Sequence, residues 1–459
     1  MEQITKPHCG ARLDRLPDCR WHSSMFAIVA FGLLVCWSNA VGGLILAQLK
    51  ELGWTDNSTT ATFSAITTAG MFLGALVGGI IGDKTGRRNA FILYEAIHIA
   101  SMVVGAFSPN MDFLIACRFV MGVGLGALLV TLFAGFTEYM PGRNRGTWSS
   151  RVSFIGNWSY PLCSLIAMGL TPLISAEWNW RVQLLIPAIL SLLATALAWR
   201  YFPESPRWLE SRGRYQEAEK VMRSIEEGVI RQTGKPLPPV VIADDGKAPQ
   251  AVPYSALLTG VLLKRVILGS CVLIAMNVVQ YTLINWLPTI FMTQGINLKD
   301  SIVLNTMSMF GAPFGIFIAM LVMDKIPRKT MGVGLLILIA VLGYIYSLQT
   351  SMLLITLIGF FLITFVYMYV CYASAVYVPE IWPTEAKLRG SGLANAVGRI
   401  SGIAAPYAVA VLLSSYGVTG VFILLGAVSI IVAIAIATIG IETKGVSVES
   451  LSIDAVVNK

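Results

Sequence analysis

Charge is scarce in this chain. Of its 459 residues only 13% are Asp, Glu, Lys or Arg, against roughly 25% in a soluble globular protein, which argues against an ordinary water-facing surface. Histidine is scarcer still, with three in all. No His-Glu-x-x-His helix occurs and no two acids share a depth in an apolar run, which argues against an intramembrane enzyme. The seven cysteines (Cys9, Cys19, Cys36, Cys117, Cys163, Cys271 and Cys371) are scattered, and five lie in apolar runs, where a thiol packs as a small hydrophobe. No disulfide framework is legible. His8, Cys9, Cys19 and His22 fit no standard zinc spacing, and neither a metal nor another cofactor is expected. No cleavable leader is expected either, because the first 24 residues are polar and basic ahead of a full-length apolar run.

Hydrocarbon is abundant instead: 56% of residues are hydrophobic and the mean hydropathy is +0.71. Twelve apolar runs are present, at roughly 25–46, 62–82, 89–108, 113–136, 152–174 and 182–202, then 266–287, 302–323, 330–349, 353–378, 391–413 and 417–440. Runs of about 20 residues match a roughly 30 Å hydrocarbon layer at 1.5 Å rise per residue. They are continuous, whereas a membrane β-barrel needs alternating segments of about ten. The expected fold is an all-α membrane protein of twelve transmembrane helices in two pseudo-symmetric six-helix halves. Its expected divisions are a cytoplasmic N-terminal segment (1–24), an N-terminal half (25–202), a central cytoplasmic loop (203–265), a C-terminal half (266–440) and a cytoplasmic tail (441–459). Ala11 to His22 reads as a short interfacial helix anchored by Trp21, and Tyr215 to Glu227 as a charged helix.

The net charge of +8 reports topology rather than nucleic-acid binding. With the N-terminus in the cytoplasm, about 28 of the 33 Lys and Arg fall in cytoplasmic segments. Three sit in outer loops (Lys50, Arg181, Lys299) and two inside the membrane (Arg118, Arg399), which is the positive-inside asymmetry. Compact loops suggest a bacterial inner membrane, both termini cytoplasmic, some contact with anionic lipid, and a monomer. Asn57-Ser58-Thr59 is a weak glycosylation match.

One element is written twice, about 241 to 245 residues apart. Asp83-Lys84-Thr85-Gly86-Arg87-Arg88 answers to Asp324-Lys325-Ile326-Pro327-Arg328-Lys329, and Glu138 with Arg145 answers to Glu380 with Arg389. Duplicated membrane halves around a central cavity are the architecture of a secondary transporter. The duplicated polar loops read as gates. Arg87 and Arg88 are expected to pair with carboxylates such as Glu138, and Asp83 to sit near a helix N-terminus, where a carboxylate gains roughly 0.3–1 kcal/mol. Gly70, Gly74, Gly78 and Gly82 repeat every four residues, and Gly122, Gly124 and Gly126 cluster in the fourth run, a pattern that lets helices approach closely.

Several of these segments resemble the major facilitator superfamily over essentially the whole chain. Gly79 to Arg88 is similar to that superfamily's loop between its second and third helices, and Arg118 to Gly124 to its helix-four motif. The sugar-transporter-like branch is suggested by three further stretches: Pro203-Glu204-Ser205-Pro206-Arg207-Trp208-Leu209, Pro379-Glu380-Ile381-Trp382-Pro383 and Glu442-Thr443-Lys444-Gly445. Tyr377 to Thr384 and Leu13-Asp14-Arg15-Leu16-Pro17 also resemble synaptic-vesicle-type relatives, a group with bacterial organic-acid carriers. The chain departs from many proton-coupled relatives in having no acid in Cys36-Trp37-Ser38-Asn39-Ala40, and from sugar porters in lacking paired glutamines early in the seventh run.

Ionisable groups inside a membrane are costly and default to functional candidates. Glu95 and His98, spaced i,i+3 on one helix face, are candidates to carry a coupling proton, with Arg118 tuning them or binding substrate. Arg399 is a candidate to grip a carboxylate, which guanidinium binds as a fork. Asn39, Asn157, Asn277, Gln280, Asn285, Tyr372 and Asn395 are candidates for hydroxyl recognition, and Trp37, Trp158 and Trp286 for stacking on a sugar face. The expected activity is alternating-access transport of a small molecule, a sugar or sugar acid, by proton symport. An aromatic or other organic acid is the alternative cargo. A nutrient sensor on a transporter scaffold is the alternative from another class; the tail of about 19 residues after Gly440 is expected to hold no output domain, which leaves it the central loop.

Overall fold

The structure is a computed structural model, and it describes residues 7–141, 145–240, 253–323, 325–383 and 386–443. Within these it is helical, as a chain in hydrocarbon must be, because helices satisfy their own backbone hydrogen bonds. Ahead of the first run lies α1 (Cys9–Asp14). The run itself is two helices, α2 (Arg20–Val35) and α3 (Gly42–Glu51), separated at residues 36–41. The second to fourth runs are α4 (Asn57–Thr85), α5 (Arg87–Ala106) and α6 (Met111–Tyr139). The fifth is shared by α7 (Arg145–Asn157) and α8 (Ser159–Leu170), and the sixth is α9 (Ala176–Tyr201). The central connection holds α10 (Pro206–Ser211), α11 (Tyr215–Thr233) and α12 (Tyr254–Leu257). Then come α13 (Gly260–Thr293), α14 (Leu298–Met309) with α15 (Gly311–Val322), and α16 (Arg328–Ser347). The tenth run is α17 (Met352–Cys371), a π-helical turn (Tyr372–Tyr377) and α18 (Val378–Glu380); the last two are α19 (Lys387–Ile439).

Nine helices among the described residues are long and apolar enough to cross a membrane. The count falls short of twelve because the first and fifth runs are each broken into shorter helices. The last two runs are also continuous across a kink at Gly417, where φ is +65°.

The chain forms two compact units. The first is Met1–Asn39, Gly70–Ser159 and Leu184–Gly246, and the second is Ala40–Ala69, Tyr160–Gln183 and Lys247–Lys459. In the first, the glycine repeat brings α4 against α6. A Cβ at Gly70 would meet Phe119 O, one at Gly74 would meet Val123 O, and one at Gly78 would stand 2.6 Å from Ala127 Cα. In the second unit α15 meets α17 the same way, Gly311 on Phe360 O and Gly315 on Thr364 O. Two of these backbone contacts thus repeat in the second unit at the offset of the duplicated loops. Close backbone approach replaces the hydrophobic drive that lipid cannot supply between helices.

Two local expectations need correction. Ala11 to His22 is not one helix: α1 ends at Asp14 and α2 begins at Arg20. The lead-in instead straps onto α10 and α11. Cys9, Leu13 and Leu16 are buried with Trp208, Leu209, Met222 and Ile225, Arg12 pairs with Glu219 and Glu226, and Arg15 Nη2 reaches Glu226 at 2.6 Å. Trp21 packs edge-on to Tyr139. Asn57 is not a free acceptor site either, since its carboxamide donates to Ser414 Oγ at 2.9 Å and accepts from Lys50 Nζ at 3.3 Å.

Two outcomes follow from this packing. Gly74→Val drives a branched side chain into Val123 O, so the unfolding temperature should fall by several degrees, corresponding to about 1–3 kcal/mol of overpacking; a thermal melt of the purified protein checks this. Burial alone would push Glu226 up, but bonds from Arg12 and Arg15 outweigh it and hold its carboxyl below the ordinary range. A depressed carboxylate contributes stability above its unfolded pKa and loses it as the pH falls. The strap should therefore be closed near neutral pH and become sensitive to proteolysis between Gly10 and Leu16 on acidification.

Candidate functional site

In the first unit the duplicated loop closes into a cluster. Arg87 Nε donates to Glu138 Oε1 at 2.8 Å and Nη1 to Asp83 Oδ1 at 2.7 Å. Asp83 lies in the last turn of α4, not at a helix N-terminus as expected. The N-terminus of α5 is occupied by Glu204, whose Oε1 accepts from the backbone N–H of Arg87 (2.7 Å) and Arg88 (3.2 Å). Free N–H groups at a helix start favour a carboxylate there. Gly86 is required for this approach, with φ +98° and a Cβ position that Glu204 already fills. Ser205 ties the assembly together by donating to Glu138, and Trp208 Nε1 donates to Asp83 O at 2.7 Å. Arg88 does not join Glu138. It donates to Trp199 O at 2.5 Å and lies over that indole ring.

The second unit repeats the cluster with different residues. Arg328 Nε and Nη2 hold Glu380 at 3.0 and 3.2 Å. Glu442 accepts from the N–H of Arg328 (2.8 Å) and Lys329 (3.1 Å), and Thr443 Oγ1 donates to Glu380 at 2.5 Å. Pro327 stands where the first copy has Gly86. Arg389 lies over the Tyr254 ring. Asp324 and the Arg145 side chain lie outside the described residues. Sequence reasoning quoted Glu204-Ser205 and Glu442-Thr443 only as family marks and missed their role. An acid followed by a hydroxyl in both copies was the signal.

The break in the first run builds a second feature of the first unit. Between α2 and α3 the carbonyl of Ser38 has left its helix, and Arg118 Nη1 donates to it at 2.6 Å. Ser38 Oγ lies 2.7 Å from His98 Nε2, and His98 Nδ1 lies 3.4 Å from Glu95 Oε2. Glu95 and His98 are wholly buried and Arg118 is 1% exposed. Glu95 thus does not reach the edge of the span, and its Oε1 has no hydrogen-bond partner among the described residues. A Cβ at Gly124 would lie only 3.0 Å from His98 N, so the glycine lets the two backbones approach closely. A neutral imidazole has one donor and one acceptor nitrogen, and protonation makes both donors. Proton uptake on this ring therefore obliges the Ser38 hydroxyl to accept, and it brings a cation beside Glu95. Ser38, unnoticed in the sequence, is the link between the three expected residues.

The remaining candidates divide between the units. Trp37 is buried, Asn39 and Asn157 are half-buried and Trp158 is partly exposed in the first. In the second, Asn285, Trp286 and Tyr372 are buried, and Tyr372 stacks on Tyr377 at 5.0 Å in the π-helical turn. Asn157, Asn277 and Asn395 each donate their carboxamide to the carbonyl four residues back, which leaves the side-chain oxygen for other work. Gln280 is half-buried. Arg399 is half-buried, and its Nη1 is enclosed without a hydrogen-bond partner among the described residues. No group of three or more His, Cys, Asp or Glu among the described residues is placed to hold a metal ion.

The chain matches the Major Facilitator Superfamily over residues 26–406. It is 99% identical to YdjK of Escherichia coli (strain K12), a metabolite transport protein by name, over 459 residues that make up the whole of both chains. It is 44% identical to the inner membrane metabolite transport protein YdjE of the same organism, over 98% of this chain and 99% of that one. The niacin transporter NiaP of Acinetobacter baylyi is 25% identical over 96% of this chain and 99% of its own length. The inward-open xylose transporter XylE of E. coli matches the fold with a TM-score of 0.74 at 17% identity, over 94% of this chain and 99% of that one. The chain belongs to the Major Facilitator Superfamily: it is a multi-pass membrane transporter, not an enzyme.

Replacing Glu204 by Ala leaves the N–H groups of Arg87 and Arg88 without their acceptor, which costs about 1–3 kcal/mol. Thermal unfolding should show the loss, with a smaller one for Ser205→Ala and a matching one for Glu442→Ala. Wild-type stability in both glutamate variants would mean that neither helix start depends on its carboxylate.

Proposed function

We propose that this member of the Major Facilitator Superfamily carries a small polyhydroxylated metabolite, a sugar or sugar acid, by alternating access and proton symport. The observation that carries the coupling is the Glu95–His98–Ser38–Arg118 cluster, wholly enclosed at a break in a membrane span. Buried ionisable groups survive in a membrane where they do work, and His98 bridges Ser38 and Glu95 through its two ring nitrogens. Arg118 fixes the broken backbone that also presents Ser38 to His98. The proton then has two stations, Glu95 and His98, on one face of α5. The pairs Arg87–Glu138 and Arg328–Glu380 serve as gates, strong enough to hold one state and accessible enough to break.

Arg399 supports a carboxylated cargo. A half-buried guanidinium with an unused N–H suits a carboxylate fork, and Asn277, Asn285, Gln280 and Asn395 provide amide groups for hydroxyls. The likeness to a niacin transporter favours a second reading, an aromatic or other organic acid, on the same Arg399. The basic residues on one set of loops support an N-terminus and C-terminus in the cytoplasm. The likeness to an inner membrane protein supports a bacterial inner membrane. The protein works as a monomer surrounded by lipid.

Uptake into proteoliposomes with an imposed inward proton gradient tests this, comparing a neutral hexose, its uronic and aldonic acids, and an aromatic monocarboxylate. Uptake of the sugar acids, reduced tenfold or more by Arg399→Ala, is expected. Glu95→Gln should abolish gradient-driven accumulation and spare exchange. Full accumulation by Glu95→Gln would remove the carboxylate from the coupling. Uptake of the hexose alone, unchanged by Arg399→Ala, would make that arginine structural.

A further inference from the structure

The second unit contains another enclosed cation that the transport reading does not use. Arg265 lies near the start of α13 and is only 3% exposed. Its Nε and Nη1 have no hydrogen-bond partner, and no ion pair reaches it among the described residues. Trp382 is 2% exposed, and its indole Nε1 is equally without an acceptor. So is the hydroxyl of Ser391.

Packing sets Trp382 and the face of α19 that carries Ser391 against the turn of α13 that follows Arg265. Gly269 stands one turn after Arg265 on the same face of α13. A Cβ at Gly269 would lie 3.8 Å from Trp382 Cζ2, which is two bonds from the indole nitrogen, and 3.3 Å from Ala394 Cβ. Ser391 precedes Ala394 by three residues, so it shares that face of α19. Gly390, beside Ser391, packs directly on the Trp382 ring. Glu380, two residues before Trp382, is already committed to Arg328 and Thr443.

Guanidinium and indole N–H groups donate and cannot accept. A fixed positive charge lined by donors repels cations and leaves a neutral polyol's hydroxyl protons unmatched. It suits an oxyanion, whose oxygens accept charge-assisted hydrogen bonds. A guanidinium taken out of water without a counter-charge is strongly disfavoured, and an anion removes that penalty. We infer that Arg265, Trp382 and Ser391 form a binding site for a phosphate-type oxyanion, separate from Arg399 and next to the Arg328–Glu380 cluster. Its occupation would pin the start of α13 to the segment that carries Glu380, and so favour the state in which that cluster is closed. Inorganic phosphate and the headgroup phosphate of an anionic lipid share this chemistry.

Thermal unfolding of the purified full chain separates the two sources. One arm adds sodium phosphate against sodium chloride at matched ionic strength, in detergent. The other compares nanodiscs with and without phosphatidylglycerol. A rise of several degrees in one arm is expected for the wild type, lost in Arg265→Gln and reduced in Trp382→Phe, which keeps the ring and removes only the donor. A rise with phosphate identifies the free anion, and one confined to phosphatidylglycerol identifies the lipid. Indifference of the wild type in both arms would overturn the site, as would an undiminished rise in Arg265→Gln. Should Arg265→Gln fail to fold, Trp382→Phe decides: an undiminished response there overturns the site equally.

Discussion

Hydrocarbon offers no substitute for a missing hydrogen-bond partner, and that constraint governs where this chain places its few charges. Unbroken helices meet it unaided. The chain needs help where a helix starts or stops inside the packed region, and there it uses a charged side chain from far along the sequence. Arg118 meets the carbonyl that Ser38 exposes at the break between α2 and α3. Glu204 and Glu442 meet the N–H groups that open α5 and α16. A charge-assisted hydrogen bond is roughly twice as strong as a neutral one, so a few such residues suffice.

The same economy explains why the clusters suit reversible closure. An exposed ion pair alone contributes about 0.2–1 kcal/mol, too little to define a state. Arg87 is instead held by Asp83 and Glu138, and Glu138 by Ser205, while Glu204 anchors the backbone beneath. The parts are individually weak and act together because they share atoms. Arg328, Glu380, Thr443 and Glu442 reproduce the arrangement. The glycines under each cluster repeat as well, Gly70 and Gly74 in one copy and Gly311 and Gly315 in the other, so the duplication extends from side-chain chemistry to backbone packing.

Hydropathy made the spans legible, because transfer out of water depends on composition alone. The i,i+3 spacing of Glu95 and His98 was legible for the same local reason, as was the glycine repeat of α4. What was not legible depends on contacts distant in sequence or on hydrogen-bond geometry. The apolar run 25–46 shows no interruption in hydropathy, yet the helix stops at Val35 and restarts at Gly42. Only Asn39 and the Gly42-Gly43 pair hinted at a weak point. Glu204 lies 117 residues from the N–H it caps, and no periodicity reports such a distance. Asp83 was expected at a helix start because its loop precedes α5, but α4 runs on to Thr85 and keeps it. The π-helical turn at Tyr372–Tyr377 is equally silent in the sequence, since an α-helical and a π-helical turn present the same apolar composition.

The two arginines within the spans look alike in the sequence and differ in their commitments. Arg118 spends an N–H on a backbone carbonyl that would otherwise stand bare, so removing it damages the break that also positions Ser38 and, through it, His98. Its effect on transport would pass through the cluster proposed to couple the proton. Arg399 has no such obligation among the described residues and keeps an enclosed N–H unused. A side chain that supports no backbone and pairs with no acid must recover its desolvation cost elsewhere. Of the two, Arg118 is therefore the one whose charge is already part of the fold, and Arg399 the one proposed to meet a cargo.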